Sequence, residues 1–279
     1  MVAGAQRRVM TQIDRSFGRQ AFGADPANYD AARPPYPDWV FEMLAEHGLG
    51  PGAAVFEIGA GTGTATRRLL ALGADPLVAV EPDARLADYL RRTSPSAALQ
   101  VINAPFEDAG LPAAAFELGL AATSFHWLDE DAALAKVASL LKPGGWWAAL
   151  WNVFGDDSRP DPFHDATNAL LSSHKSPSAG QGGVPVALDV DPRIAALERT
   201  GVFEDIQHRA SHWPLHLDAD QTVRLYATYS DITARPDRDH VLAELRRIAE
   251  DDFAGRVTRN MTTVLYLARR SVGNPAVTA

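Results

Sequence analysis

Between residues 53 and 154, short apolar runs alternate with segments whose apolar positions recur every three or four residues. This alternation predicts a parallel sheet covered on both faces by helices. Strands are predicted at 53–58, 77–81, 98–102, 117–122 and 146–152, with helices near 64–72, 83–92 and 130–141. Leu141-Lys142-Pro143-Gly144-Gly145 closes the last of these helices before the fifth strand. The stretch 155–192 breaks the pattern: it is rich in Pro, Gly, Ser and Asp, has one helical period at 162–173, and carries a Ser/Gly run at 176–183 expected to be a flexible loop. It reads as an insertion. Beyond it the spacing predicts a helix at 192–200, a long strand at 202–213, helices at 219–229 and 238–252, and a final strand at 262–269. The last two strands are expected to form an antiparallel edge. The fold class is therefore α/β, a seven-stranded, mostly parallel doubly wound sheet with an antiparallel C-terminal edge strand. Ahead of it, the three prolines within Tyr29 to Pro37 impose extended backbone before a helix at 38–47.

The turn after the first strand is the most informative segment. In Val55-Phe56-Glu57-Ile58-Gly59-Ala60-Gly61-Thr62-Gly63 an apolar run with an acid near its end leads into glycines at every second position. Glycine allows positive φ and lets backbone approach a ligand with no Cβ in the way, and the helical spacing that follows, with Arg67 and Arg68 outward, makes this a strand, tight loop and helix. A nicotinamide-dinucleotide turn is disfavoured, because it needs glycine where Thr64 stands and an apolar residue where Glu57 stands. The second strand, Leu77-Val78-Ala79-Val80, ends in Glu81. An acid at that strand end in a doubly wound sheet accepts hydrogen bonds from both hydroxyls of a ribose. Pro82 then opens the next helix.

Composition narrows the partners. The 279 residues are 46% hydrophobic and 22% charged, ordinary for one globular domain with insertions. A formal charge of −9 argues against a broad phosphate-binding surface, so no nucleic-acid partner is expected. With no cysteine, neither disulfides nor thiolate metal sites exist. Residues 1–25 lack an apolar segment and no run is long enough to span a bilayer, so neither a signal peptide nor a membrane partner is expected, and the cytoplasm is the default location.

Acid-x-Gly-x-Gly-x-Gly at the end of the first strand, with Glu81 at the end of the second, resembles the class I S-adenosylmethionine-dependent methyltransferases. Phe125-His126-Trp127-Leu128-Asp129, Leu141 to Gly145 and Trp151-Asn152 are similar to a bacterial small-molecule subgroup related to the trans-aconitate methyltransferase type. The likeness covers about residues 26–154 and is weaker from 155 to 279, where Thr228-Tyr229-Ser230 and Leu265 to Arg270 still look similar. It implies S-adenosylmethionine as cofactor, S-adenosylhomocysteine as its product, and a small-molecule acceptor. It also implies a domain plan of an N-terminal arm and lid segment at 1–48 and a catalytic domain at 49–279, with an insertion at about 155–192 and cap helices at about 219–252. The expected cofactor residues are Glu57, Gly59, Ala60, Gly61, Gly63, Glu81, Pro82, Pro105, Phe106 and Thr123. Phe106 is placed against the adenine, with its backbone N–H on a ring nitrogen. Where the family often has a polar residue stands Pro105, which leaves Glu107 or Asp108 as candidate partners for the amino group, or as exposed loop acids. Tyr29, Arg33 and Tyr36 match a Tyr-x-x-x-Arg-Pro-x-Tyr-Pro segment that closes over the cofactor; a packed lead-in is the alternative.

Ligands in such sheets bind beyond the carboxyl ends of the strands, so Thr123 to Asp129 should border the reacting methyl group. His126 is the candidate general base, its ordinary pKa suiting proton removal near neutrality; a structural residue orienting the loop is the alternative. Asp129 is expected to cap the following helix. Tyr36, Trp127, Trp151, Tyr226 and Tyr229 are candidate acceptor residues, with Trp39 and His164 further possibilities and core burial the alternative for each. No metal is expected: His208 and His212 lack a third ligand, and Asp156, Asp157, Asp161, His164 and Asp165 are more simply loop acids and helix caps. Monomer and homodimer are both compatible with the sequence. The rival functions are a non-methylating reaction such as cyclisation on the same cofactor fold, and a tRNA or protein methyltransferase.

Overall fold

The computed structural model describes residues 11–273 except 157 and 181–183. Seven strands form one sheet: β1 (Ala53–Ile58), β2 (Ala74–Val80), β3 (Leu99–Ile102), β4 (Phe116–Ala122), β5 (Leu141–Val153), β6 (Phe203–Asp218) and β7 (Arg256–Arg270), in the order β3-β2-β1-β4-β5-β7-β6. The first five are parallel, and β7 runs antiparallel between β5 and β6. The two C-terminal strands thus make the antiparallel edge, with β6 outermost.

The order reverses between β1 and β4, where the crossovers leave by opposite faces and a crevice opens beyond the strand ends. Ile58 is level with Val80 on one side and Ala121 on the other, so the loops after β1, β2 and β4 emerge together. Apolar side chains on both faces explain why these strands read as continuous hydrophobic runs.

The last two strands are longer than their apolar runs. Each extends the other's ladder from Phe203 opposite Arg270 to Asp218 opposite Arg256, and polar residues such as Thr258 and His216 are carried along by pairing. Likewise β5 starts at Leu141, inside the segment read as a turn, although Gly144 keeps its positive φ of 81°. The helix expected at 219–229 stops at Tyr226, and a short turn at Ser230–Thr233 follows.

Helices Pro162–Leu171, Ala219–Tyr226 and Arg238–Asp251 pack a second core around Phe163, Tyr226, Tyr229 and Leu245, forming a cap over the crevice. The N-terminal segment reaches the cap through a parallel ribbon of Thr11–Gln12 with His174–Lys175. Tyr29 is helical rather than extended: Asp25 caps Pro26–Ala32, and the prolines constrain only the residues from Arg33 onward. The run at 176–183 lies partly outside the described residues, and so does the N-terminal stretch 1–25. Among the described residues no helix is long and apolar enough to cross a membrane.

Candidate functional site

The loop after β1 is shaped by glycines at positions where a side chain has no room. Gly59 has a φ of 66°, and a Cβ there would lie 2.5 Å from the Cβ of Ser124, so the Gly59 backbone packs directly on the Ser124 side chain. Gly63, with a φ of 94°, begins helix Thr64–Ala71, and a Cβ on it would strike Leu90 at 2.5 Å. At Gly61 a Cβ would meet nothing closer than the Tyr29 ring at 4.0 Å, and the residue lines the crevice. Arg67 is not simply outward: it ties the loop to the N-terminal helix through the Thr62 carbonyl at 2.8 Å and Asp30 at 2.7 Å.

Two buried carboxylates underlie this loop. Glu57 accepts from the Thr66 hydroxyl at 2.6 Å, and burial pushes its pKa up to about 8. Glu81 is 4% exposed and accepts one bond on each oxygen, from the Gly61 amide at 2.8 Å and from the Asp83 amide at 2.9 Å. Burial raises it to about 7 against the pull of those amides. Each oxygen keeps a second lone pair, so two further donors can be accepted. Asn103, which the sequence did not single out, fixes this turn by donating to the Glu81 and Pro82 carbonyls at 2.8 and 3.0 Å.

The crevice has two lobes that share Tyr29, Gly59, Gly61 and Thr123. The β2-side lobe is lined by Glu81, Pro82, Pro105, Phe106 and Trp127, and is roofed by Gly18, Arg19 and Phe22. The cap-side lobe is lined by Arg33, Tyr36, Glu57, Ala60, Asn152, Phe154, Tyr229 and Met261. Thr123, at a φ of 58°, donates its amide to Leu150 and shares a 2.9 Å hydroxyl hydrogen bond with Tyr36. Arg33 ends its helix with its guanidinium between the Tyr29 and Tyr229 rings, 4.9 and 4.8 Å from their centroids, and donates to the Thr228 carbonyl at 2.8 Å. The hydroxyls of Thr62 and Tyr229 and Nε of Arg33 are buried with no hydrogen-bond partner among the described residues. Unsatisfied donors on cavity walls mark where a ligand's acceptors fit.

The structure sets several expected site residues aside. His126 lines neither lobe; its Nδ1 accepts the Trp151 indole N–H at 3.1 Å, so the neutral ring carries its proton on Nε2 and neither nitrogen is free to act as base. Burial and the nearby charges of Arg33 and Arg15 push its pKa down to about 3. Trp151 is buried in the core against Tyr266, on the β5 face opposite the one Asn152 presents to the lobe. Tyr226 is buried in the cap with its hydroxyl on Arg259. Trp127 borders the β2-side lobe rather than the cap side. The Phe106 ring is 3% exposed, between Phe56 and the Lys136 ammonium, which leaves mainly its backbone and edge for a ligand. Glu107, by contrast, stays at the β2-side lobe, where it pairs with Arg19 at 2.7 Å. Trp39 donates to Ser211 and His164 lies beside Gly155, both away from the lobes.

Asp129 and Asp161 cap their helices, accepting from Ala132 and His164 amides at 3.0 and 2.7 Å. Among the described residues no group of three His, Asp or Glu is arranged to hold a metal, and Asp157 lies outside them. His126→Ala is expected to leave S-adenosylhomocysteine affinity within about threefold in a calorimetric titration, while stranding the Trp151 indole at a cost of about 1–3 kcal/mol in urea unfolding.

Sequence comparison bears on the same segment. Residues 56–149 match the family model described as a methyltransferase domain. An uncharacterized methyltransferase of Schizosaccharomyces pombe is 32% identical over 145 residues, which is 50% of this chain and 55% of that protein. The chain thus spans about half the length of the curated relatives it matches. Among solved structures, a putative type II methyltransferase from Anaeromyxobacter dehalogenans superposes with a TM-score of 0.61 at 22% identity, over 86% of this chain and 98% of that one. The [4+2]-cyclase SpnF superposes with a TM-score of 0.56 at 16% identity, over 95% and 99%. Both share the fold.

Proposed function

We propose, from the premise that residues 56–149 are a methyltransferase domain whose cofactor is S-adenosylmethionine, that the whole chain is a methyltransferase of the small-molecule subgroup related to the trans-aconitate type. It passes a methyl group to an O, N or C nucleophile of a small acceptor. The observation that carries this reading is the Glu81 carboxylate, set against the Gly61 amide at the crevice with one free lone pair on each oxygen for a ribose diol.

The residues present fit the cofactor. Gly59, Ala60 and Gly61 supply a loop whose backbone is open to the methionine end, above Glu57, whereas Gly63, packed on Leu90, lines neither lobe and serves the turn into the helix. Pro82, Pro105 and the backbone and edge of Phe106 border the base, and Thr123 sits where the two lobes meet. Tyr29 and Arg33 cover the cofactor from the arm. When bound, the cofactor supplies a sulfonium-activated, electrophilic methyl group. What the chain adds is position: Tyr36, Asn152, Phe154 and Tyr229 wall the cap-side lobe and hold the acceptor in line with it, and holding reactants in line supplies a large effective molarity. The Tyr229 phenol, which burial holds well above its ordinary pKa, stays protonated and orients the acceptor as a donor. Enclosure by arm residues between Gly18 and Tyr36 and by Tyr229 of the cap supports an acceptor of small size.

Incubation with methyl-labelled S-adenosylmethionine and separate metabolite, RNA and protein fractions tests this. Label is expected in low-mass products only. Label in RNA or protein would overturn the small-molecule assignment, and cofactor that binds but is never consumed would point to a non-methylating reaction.

A further inference from the structure

The roof of the β2-side lobe is a short piece of chain, residues 14–25, strung between the Thr11–Gln12 ribbon and the Asp25 cap of helix Pro26–Ala32. Its grip on the sheet converges on one side chain. Asp83 Oδ2 accepts the Gly23 amide at 3.1 Å, and both Asp83 oxygens are held by Arg85, whose Nη2 also donates to the Gln20 carbonyl at 2.6 Å. The roof approaches so closely that a Cβ on Gly23 would lie 2.2 Å from the Asp83 carboxylate, and one on Gly18 would lie 2.3 Å from the Trp127 ring. The segment is held further by the exposed Arg19–Glu107 pair, by Phe22 at the edges of Tyr29 and Trp127, and by Gly18–Ala21, with Ala21 buried, packing on the cap turn Ser230–Thr233.

The same Asp83 donates its backbone amide to Glu81 Oε1 at 2.9 Å. One residue therefore holds the roof with its side chain and aims the ribose-facing carboxylate with its main chain. We propose that Asp83, braced by Arg85, is a positioning residue that latches segment 14–25 shut over bound cofactor and couples that closure to Glu81. The two roof glycines make the latch possible, since any side chain at 23 would displace the carboxylate and any at 18 would lift the segment off Trp127. Cofactor seated on Glu81 fixes the Asp83 turn, and the fixed turn presents its carboxylate to the Gly23 amide. Release then requires the latch to open, so the roof sets the residence time of the nucleoside end.

This inference rests on the cofactor reading above, and the test separates the two. Dissociation of S-adenosylhomocysteine is measured by stopped-flow displacement in wild type, Arg85→Ala and Gly23→Ala, with tryptic cleavage after Arg15 and Arg19 followed in parallel. Both variants leave Glu81 and the sheet core in place, and unfolding of the ligand-free protein serves as the control for stability. Dissociation is expected to accelerate by about tenfold in each, the loss that follows from one charge-assisted hydrogen bond. The ligand is expected to shield the two cleavage sites in wild type but not in the variants. A rate within twofold of wild type in both variants, or equal cleavage of wild type with and without ligand, would overturn the latch. Absence of any binding by folded wild type would instead remove the cofactor reading on which it stands.

Discussion

Replacing Glu81 with alanine is expected to weaken S-adenosylhomocysteine binding by about a hundredfold or more, since two hydrogen bonds to a charged group are each worth about 1.5–3 kcal/mol. The fold should survive, because the Gly61 amide freed by the change faces the crevice, where water can reach it, and the buried Asp83 amide left without its partner costs only about 1–3 kcal/mol. The pH dependence gives a second check. Without ligand, burial holds the Glu81 carboxyl near a pKa of about 7, so part of the protein carries it protonated at neutrality. Ribose hydroxyls donate to the ionised form, so binding expels that proton and affinity rises as the pH increases through about 7. Glu81→Gln, which fixes the group neutral, should bind weakly at every pH and lose this rise. An alanine variant that binds as well as wild type would show that the acid serves the loop alone.

The largest effect on stability is expected in the cap. Asp161 and Arg259 are 3% and 1% exposed; both Asp161 oxygens accept from the Arg259 Nε, and the guanidinium lies 5.0 Å from the Phe154 ring centroid. Tyr226 holds another edge of the guanidinium through its hydroxyl. Asp161→Ala removes the counter-charge and also the cap of helix Pro162–Leu171, and stranding a buried charge costs about 3–5 kcal/mol. The double variant Asp161→Leu with Arg259→Met removes both charges and should recover most of that loss. Urea unfolding of the three proteins reads the difference directly. A single-variant loss under about 1 kcal/mol would mean that water reaches the pair. Because Phe154 and Tyr229 stack at 4.6 Å on the lobe wall, the acceptor side should loosen before the cofactor side does.

What was legible in the chain was local. The loop after β1 is legible because positive φ and close contact with the Ser124 side chain admit only glycine at 59, and Glu81 because an acid closes an otherwise apolar strand. Trp151 and Asn152 stand on opposite faces of β5, and the aromatic was the natural choice for a pocket; burial of its large surface sent Trp151 into the core and left Asn152 facing the lobe, clamping the Pro35 carbonyl at 3.1 Å. His126 has the chemistry of a base, which sequence can show, but the Trp151 indole that occupies its Nδ1 is 25 residues away. Phe106 lines the lobe as expected along the chain, yet its ring is packed between Phe56 and the Lys136 ammonium. Arg259 has no local signal, since its partner lies 98 residues earlier and only the packing of helix Pro162–Leu171 on β7 brings them together. Roof residues Gly18 and Gly23 were equally silent, because their close contacts are with Trp127 and Asp83 from distant loops.

The central claim is that this crevice holds S-adenosylmethionine, and calorimetric titration of folded wild-type protein with S-adenosylhomocysteine tests it most directly. The predicted result is saturable one-to-one binding with a Kd in the micromolar range, about −8 kcal/mol, and a clear loss of heat in Glu81→Ala. Absence of heat with protein that unfolds cooperatively would contradict the assignment of the glycine loop, and with it the methyl-transfer function.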